Sequence, residues 1–118
     1  MLQARRIPQL LQSGLGDGVL SVALMTSEGS VLSCQSSDPA VDETLLGALG
    51  SSFWSSMCKE HPDLQLYLLR LERASIGVTS LGKGFILAAY GDESVPPGFL
   101  KARMDALKAY LSRVVEQL

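Results

Sequence analysis

Fifteen consecutive residues, 44–58, carry no charge. The acids Asp42 and Glu43 precede them and Lys59 follows. Acids before and a base after match the partial charges of helix ends, so the spacing predicts a helix. Leu45, Leu49, Phe53 and Met57 recur at i, i+4 and are expected to form its inward stripe. Gly47, Ala48, Ser51, Ser52, Ser55 and Ser56 are then expected on the opposite side. A helix that borders water carries charges there. Small, weakly polar side chains instead allow another backbone to come close. A chain holding such a helix is constrained to cover it, and the expected cover is a partner protein.

The chain has 118 residues, enough for one domain with a real core and no need of disulfides or metal. It is 47% apolar and 19% charged, which is globular rather than disordered. A net charge of −2 offers no basic excess for nucleic acid or for anionic lipid. Cys34 and Cys58 stand far apart and form no metal-spaced pair; both are expected reduced and buried. Arg5 and Arg6 run at once into Ile7-Pro8, so no signal peptide is expected, and Leu2 breaks the myristoylation pattern. The uncharged stretch is short of the ~20 apolar residues a membrane span needs. Direct membrane insertion is not expected, and residence at a membrane would come through a partner.

The other elements read clearly. Residues 6–15 are expected to form a short helix, with Ile7, Leu10, Leu11 and Leu15 on one stripe and Pro8 in the first turn. Residues 19–25 and 31–34 read as strands around a turn at Ser27-Glu28-Gly29-Ser30. A polar loop, 35–39, leads to the uncharged helix, which Asp38 or Asp42 can cap. Residues 64–71 read as a strand apolar on both faces: Leu64, Leu66 and Leu68 on one, Tyr67, Leu69 and Leu71 on the other. That pattern belongs to a sheet covered on both sides. Residues 75–81 and 85–90 are strands joined through Gly82-Lys83-Gly84. Residues 97–118 form an amphipathic helix with Leu100, Met104, Leu107, Leu111, Val114 and Leu118 inward and Lys101, Asp105, Lys108 and Ser112 outward. Tight turns between consecutive strands imply an antiparallel α+β sheet.

Catalytic groups are sparse. His61, the one histidine, sits beside Pro62 at a helix exit and is expected to meet helix-end carbonyls. Cys58 lies three residues from it, but its neighbours are apolar where a nucleophile needs an electropositive, accessible setting. The acid pairs Asp42-Glu43 and Asp92-Glu93 read as solvated ends of elements. Gly16-Asp17-Gly18 and Gly82-Lys83-Gly84 have the wrong context for a phosphate loop. No cofactor or metal is expected, and no enzyme activity. Trp54 is either an interface anchor or a core residue. The basics of the last helix, Lys101, Arg103, Lys108 and Arg113, alternate with acids and read as a solvated face.

Several stretches carry a family likeness: VLSVALMTSEGSVLS (19–33), QLLQS (9–13), SSFWSSM (51–57), IGVTSLGKGFILAAYGDE (76–93) and GFLKARMDALKAYL (98–111). With the element order, they make the chain resemble the Roadblock / dynein light-chain superfamily. Within it, the likeness is to the Roadblock subunit of Ragulator-type late-endosomal and lysosomal scaffolds. The resemblance implies a helix–strand–strand–helix–strand–strand–strand–helix domain, with a five-stranded antiparallel sheet and helices on both faces. It implies a non-enzymatic adaptor that heterodimerises with a second Roadblock-domain subunit. The implied interface is Gly47, Ala48, Ser51, Ser52, Trp54 and Ser55 on the central helix, with Leu64, Leu66, Leu68 and Arg70 on the strand after it. A lipidated anchor subunit would hold the pair at the cytoplasmic face of the lysosome. There it would dock Rag GTPases for TOR-kinase and MAP-kinase signalling. The alternative is a homodimeric light chain that binds dynein intermediate chain or regulates a small GTPase. Pairing along an exposed apolar edge strand is physically sound, because such an edge is a template for another chain.

Overall fold

A computed structural model describes residues 6–37, 43–61 and 66–116. Its elements run α1 (Ile7–Ser13), β1 (Val19–Thr26), β2 (Val31–Ser36), α2 (Glu43–Glu60), β3 (Leu66–Arg70), β4 (Ala74–Gly82), β5 (Phe85–Asp92) and α3 (Pro97–Val115). This is the expected α+β order. The sheet order is β2-β1-β5-β4-β3, and each neighbouring pair is antiparallel. The expected caps Asp38 and Asp42 lie outside the described residues, as do Leu64 and Leu118.

The three central strands are apolar on both faces, and strict alternation sorts their side chains into two cores. Val22, Leu24, Leu81, Leu87 and Ala89 face α1 and α3, where they meet Ile7, Leu11, Leu100, Met104, Leu107 and Leu111. Ala23, Met25, Ile76, Val78, Ile86 and Ala88 face the other way and pack with Trp54 of α2. The edge strand β3 divides in the same manner: Leu66 and Leu68 join the first core and Leu69 the second. The expectation of a sheet covered on both sides therefore holds.

The α2 helix links the two edge strands, β2 and β3. Its 18 residues rise about 27 Å. The four interstrand gaps of the sheet span about 19 Å. One helix is thus long enough to cross from edge to edge, and among the described residues β2 and β3 each pair with one strand only.

The α3 layer packs most tightly at Gly77 of β4. A Cβ there would collide with the Met104 sulfur and lie 2.9 Å from Leu68 Cδ2. Gly77→Val should therefore overpack this core and destabilise the fold by about 1–3 kcal/mol, read as a lower urea midpoint at unchanged slope.

Candidate functional site

Part of the small-residue side of the uncharged helix, expected to face a partner, meets the chain's own sheet and hairpin; the side chains of Leu45, Leu49 and Phe53 lie outside the described residues. The expected inward stripe was Leu45, Leu49, Phe53 and Met57. The positions that meet the sheet and the first hairpin are Gly47, Gly50, Ser51 and Trp54, with Met57 and Cys58 at the margin. A Cβ on Gly50 would lie 3.7 Å from Ala88 Cβ and from the Met25 sulfur. Alanines on the sheet and glycines on the helix let the two backbones approach, and Trp54 fills the space beside them. This corrects the assignment of the small-residue side. The physical reason is that the helix is apolar or small on every side, so shape complementarity rather than polarity selects the buried face.

Gly47 and Ser51 are occupied by the chain's own β1–β2 turn. A Cβ on Gly47 would meet Val31 Cγ2 at 2.9 Å and the Gly29 carbonyl oxygen at 3.2 Å. The Ser51 hydroxyl donates to the Ser27 carbonyl at 3.0 Å. Gly29, at φ 103°, supplies the left-handed turn residue that this approach needs. Trp54 is 8% exposed and belongs to the core. So three of the expected interface residues, Gly47, Ser51 and Trp54, are used inside the chain. Ser52 and Ser55 are exposed on α2. The backbone of Ala48 is helical, and Leu64 lies outside the described residues.

At the sheet edge, Leu66 and Leu68 are half-buried and Arg70 is exposed. On its other side β3 pairs with β4, in the register Leu66↔Thr79 to Arg70↔Ser75. Where β3 ends, a small cavity of about 90 Å³ opens between it and the first turn of α3, lined by Leu68, Leu69, Arg70, Ser75, Pro97 and Leu100. Sequence reasoning passed over Ser75, because a serine in a strand carries no signal until its neighbours are known.

The start of α3 is set by the turn after β5. The Asp92 carboxylate accepts from the Ser94 backbone N–H at 2.8 Å and from the Ser94 hydroxyl. Both bonds favour the ionised form, the hydroxyl's more, and hold this carboxyl below its ordinary value. On the outer side of α3, Arg103 is not part of a free basic face. It donates to the Gly14 and Leu15 carbonyls at 2.9 and 3.3 Å, pairs with Asp17 at 2.9 Å, and lies over the Phe99 ring at 4.9 Å. It ties α3 to the α1–β1 loop.

Cys34, Cys58 and His61 do not line the cavity at the end of β3. Cys58 is half-buried against the α2 core, and Cys34 is half-buried with its sulfur 3.6 Å from the Ser21 hydroxyl. Neither cysteine forms a disulfide, and neither is fully buried as the sequence suggested. His61 is exposed; its backbone N–H closes α2 on the Met57 carbonyl at 2.8 Å. Among the described residues no three His, Cys, Asp or Glu side chains group as metal ligands. Among them also, no helix is long and apolar enough to cross a membrane.

This geometry has known counterparts. MglB with tetrameric arrangement superposes at TM-score 0.85 with 21% identity, covering 99% of this chain and 93% of that one. The Roadblock/LC7 domain from Streptomyces avermitilis superposes at 0.79 with 19% identity, over 93% and 98%. The chain has the Roadblock/LC7 fold. MglC from Myxococcus xanthus, at TM-score 0.65 and 11% identity over 93% and 97%, shares it. In sequence, the chain is similar to the Ragulator complex protein LAMTOR2 homolog of Caenorhabditis elegans. The two are 29% identical over 116 residues, 98% of this chain and 94% of that protein. No protein-family profile matches the chain.

Two outcomes check the local chemistry. Asp92→Asn should lower stability at neutral pH, because the folded carboxyl titrates below its unfolded value. The deficit relative to wild type should shrink as pH falls through the lowered Asp92 range, as thermal melts across acid pH will show. Ser75→Ala removes a buried hydroxyl that has no hydrogen-bond partner. It should stabilise the chain by about 1 kcal/mol, a rise in Tm of roughly 4 °C.

Proposed function

We propose that this Roadblock chain is a non-enzymatic adaptor that pairs with a second Roadblock protein in a Ragulator-type complex. The pair sits at the cytoplasmic face of the late endosome or lysosome, held by a lipidated anchor subunit. There it docks Rag GTPases for amino-acid signalling to the TOR kinase and for MAP-kinase signalling. The observation that carries the reading is the similarity to the LAMTOR2 homolog along nearly the whole of both chains. The reading is supported by α2, uncharged over residues 44–58, which exposes Ser52 and Ser55, and by β3, which ends the sheet and pairs on one side only among the described residues. Helix face and strand edge together offer a partner both close packing and main-chain hydrogen bonds. Ala48, Ser52 and Ser55 on α2, with Leu66, Leu68 and Arg70 on β3, form the proposed interface. Gly47, Ser51 and Trp54 support it from beneath.

Self-association is the second reading. It is favoured by the likeness to MglB in a tetrameric arrangement, a structure that matches 99% of the chain. In that case the chain alone would be a stable homodimer, and a dynein intermediate chain or a small GTPase would be its ligand.

Isolation of the tagged chain from its own cells separates the two. Recovery of Rag GTPases, a second Roadblock protein and a lipidated anchor supports the scaffold. Recovery of dynein chains, or of the chain alone, overturns it. Ser52→Arg tests the interface directly. Ser52 is exposed, so folding stability should move by less than about 0.5 kcal/mol. An unpaired charge buried against a partner should weaken the complex by about 3 kcal/mol. A complex of unchanged affinity, measured by calorimetry with the co-purified partner, would remove α2 from the interface.

A further inference from the structure

The helix α3 carries three bands along its length. Leu100, Met104, Leu107, Leu111, Val114 and Val115 are buried in the core that it shares with the sheet. Lys101, Asp105, Lys108 and Ser112 make a polar band. The third band is neither buried nor polar. At 3.6 residues per turn, Phe99, Ala102, Ala109, Tyr110 and Arg113 all project within about 60° of Ala106. Each of them, and Ala106 itself, is exposed, Phe99 at 38% and Tyr110 at 61%. Among the described residues the large hydrophobics left exposed are Leu32, Leu71, Phe99 and Tyr110, and two of these stand in this one band. A helix surface that meets only water carries charge there. This band holds no acid, and its one cation, Arg113, lies at the far end. Aromatic rings set among methyl groups on an exposed helix mark a surface that packs against something.

We propose that this band is a self-recognition surface, on which α3 of a second copy of the chain lies antiparallel about a two-fold axis at Ala106. The band is complementary to its own reverse. Ala102 and Tyr110 each stand four residues from Ala106, and Phe99 and Arg113 each stand seven. Antiparallel pairing about that axis sets each beside its counterpart, as a two-fold interface requires. The Tyr110 ring falls on the Ala102 methyl of the second copy, and the Arg113 guanidinium falls on its Phe99 ring. Ala106 meets Ala106, so the helix axes can approach to about 8 Å. Phe99 is already steadied by Arg103 of its own chain, 4.9 Å from the ring centroid. Asp105, the acid nearest the axis, is paired with Lys101 at 2.8 Å, so its two copies do not meet uncompensated. The opposed helix dipoles add to the attraction. A parallel copy would instead set Tyr110 against Tyr110 and Arg113 against Arg113. The α2 layer covers the other face of the sheet. The surface therefore goes beyond the proposed α2–β3 interface and leaves it free, so two adaptor pairs can be joined back to back.

The test uses the full chain, with Cys34→Ala and Cys58→Ala removing its own thiols. Ala102→Cys, Ala106→Cys and Ala109→Cys are introduced singly and oxidised with copper phenanthroline. A disulfide needs Cα atoms within about 7 Å. In the antiparallel pair only position 106 faces itself, while 102 and 109 lie about 12 and 9 Å along the axis from their counterparts. Ala106→Cys should therefore cross-link at least about tenfold faster than either of the others. A thiol at 106 that cross-links no faster than those at 102 and 109 overturns the pairing, whether all three react, as in a parallel pair, or none does. Sedimentation equilibrium with the native cysteines reads the same contact. Ser52→Arg is present throughout, so that association through α2 and β3 does not contribute. The mean mass should rise with concentration towards twice the monomer. Ala106→Glu brings like charges together at the axis and should weaken this association at least about tenfold. Ala106 is exposed and glutamate is a good helix former, so the variant keeps the fold. A chain that stays monomeric, or an Ala106→Glu variant that associates as well as its parent, overturns the proposal. A 106 disulfide that persists in Ser52→Arg supports it whatever becomes of the α2–β3 interface, so the two readings fail separately.

Discussion

Two-sided burial of the central strands is the constraint on which everything else depends. β1, β5 and β4 carry apolar side chains on both faces, so neither face can be left to water. Each face needs a helical layer. On one side α1 and α3 share the task. On the other side α2 is alone, and it spans the sheet because it must connect the two edges. Among the described residues β2 and β3 end the sheet, each paired on one side only.

The lone helix can lie close to the sheet because both surfaces are trimmed. Ala88 and Met25 on the strands face Gly50 of the helix, the β1–β2 hairpin faces Gly47, and Trp54 packs in the same core. The same closeness brings the β1–β2 turn onto the helix, where Ser51 bonds the Ser27 carbonyl. Small residues that read as a partner face thus serve in part to seat the helix on its own sheet. Ser52, Ser55 and Ser56 of α2 stay exposed.

Charge is distributed with equal economy. Arg103 spends its donors on the α1–β1 loop, and Lys101 pairs with Asp105 one turn on. Arg70, at the end of β3, is exposed.

How much was legible in the sequence differs element by element. Short apolar runs such as 19–25 and 85–90, bounded by glycine turns, made the strands legible, and residues 64–71, apolar on both faces, made the two-sided cover legible. Pro97 and the repeat of Leu100, Met104, Leu107 and Leu111 likewise determined the last helix and its inner face. The rotation of α2 was not determined. With no charge anywhere from 44 to 58, hydrophobicity favours no side, and only the shape of the sheet decides that Gly47, Gly50 and Trp54 go down. The fates of Arg103 and Ser75 were also decided in three dimensions. A cation is free or engaged, and a hydroxyl satisfied or orphaned, only by what distant segments bring beside it. Local periodicity is written in the chain; the pairing of polar groups across it is a property of the packed fold.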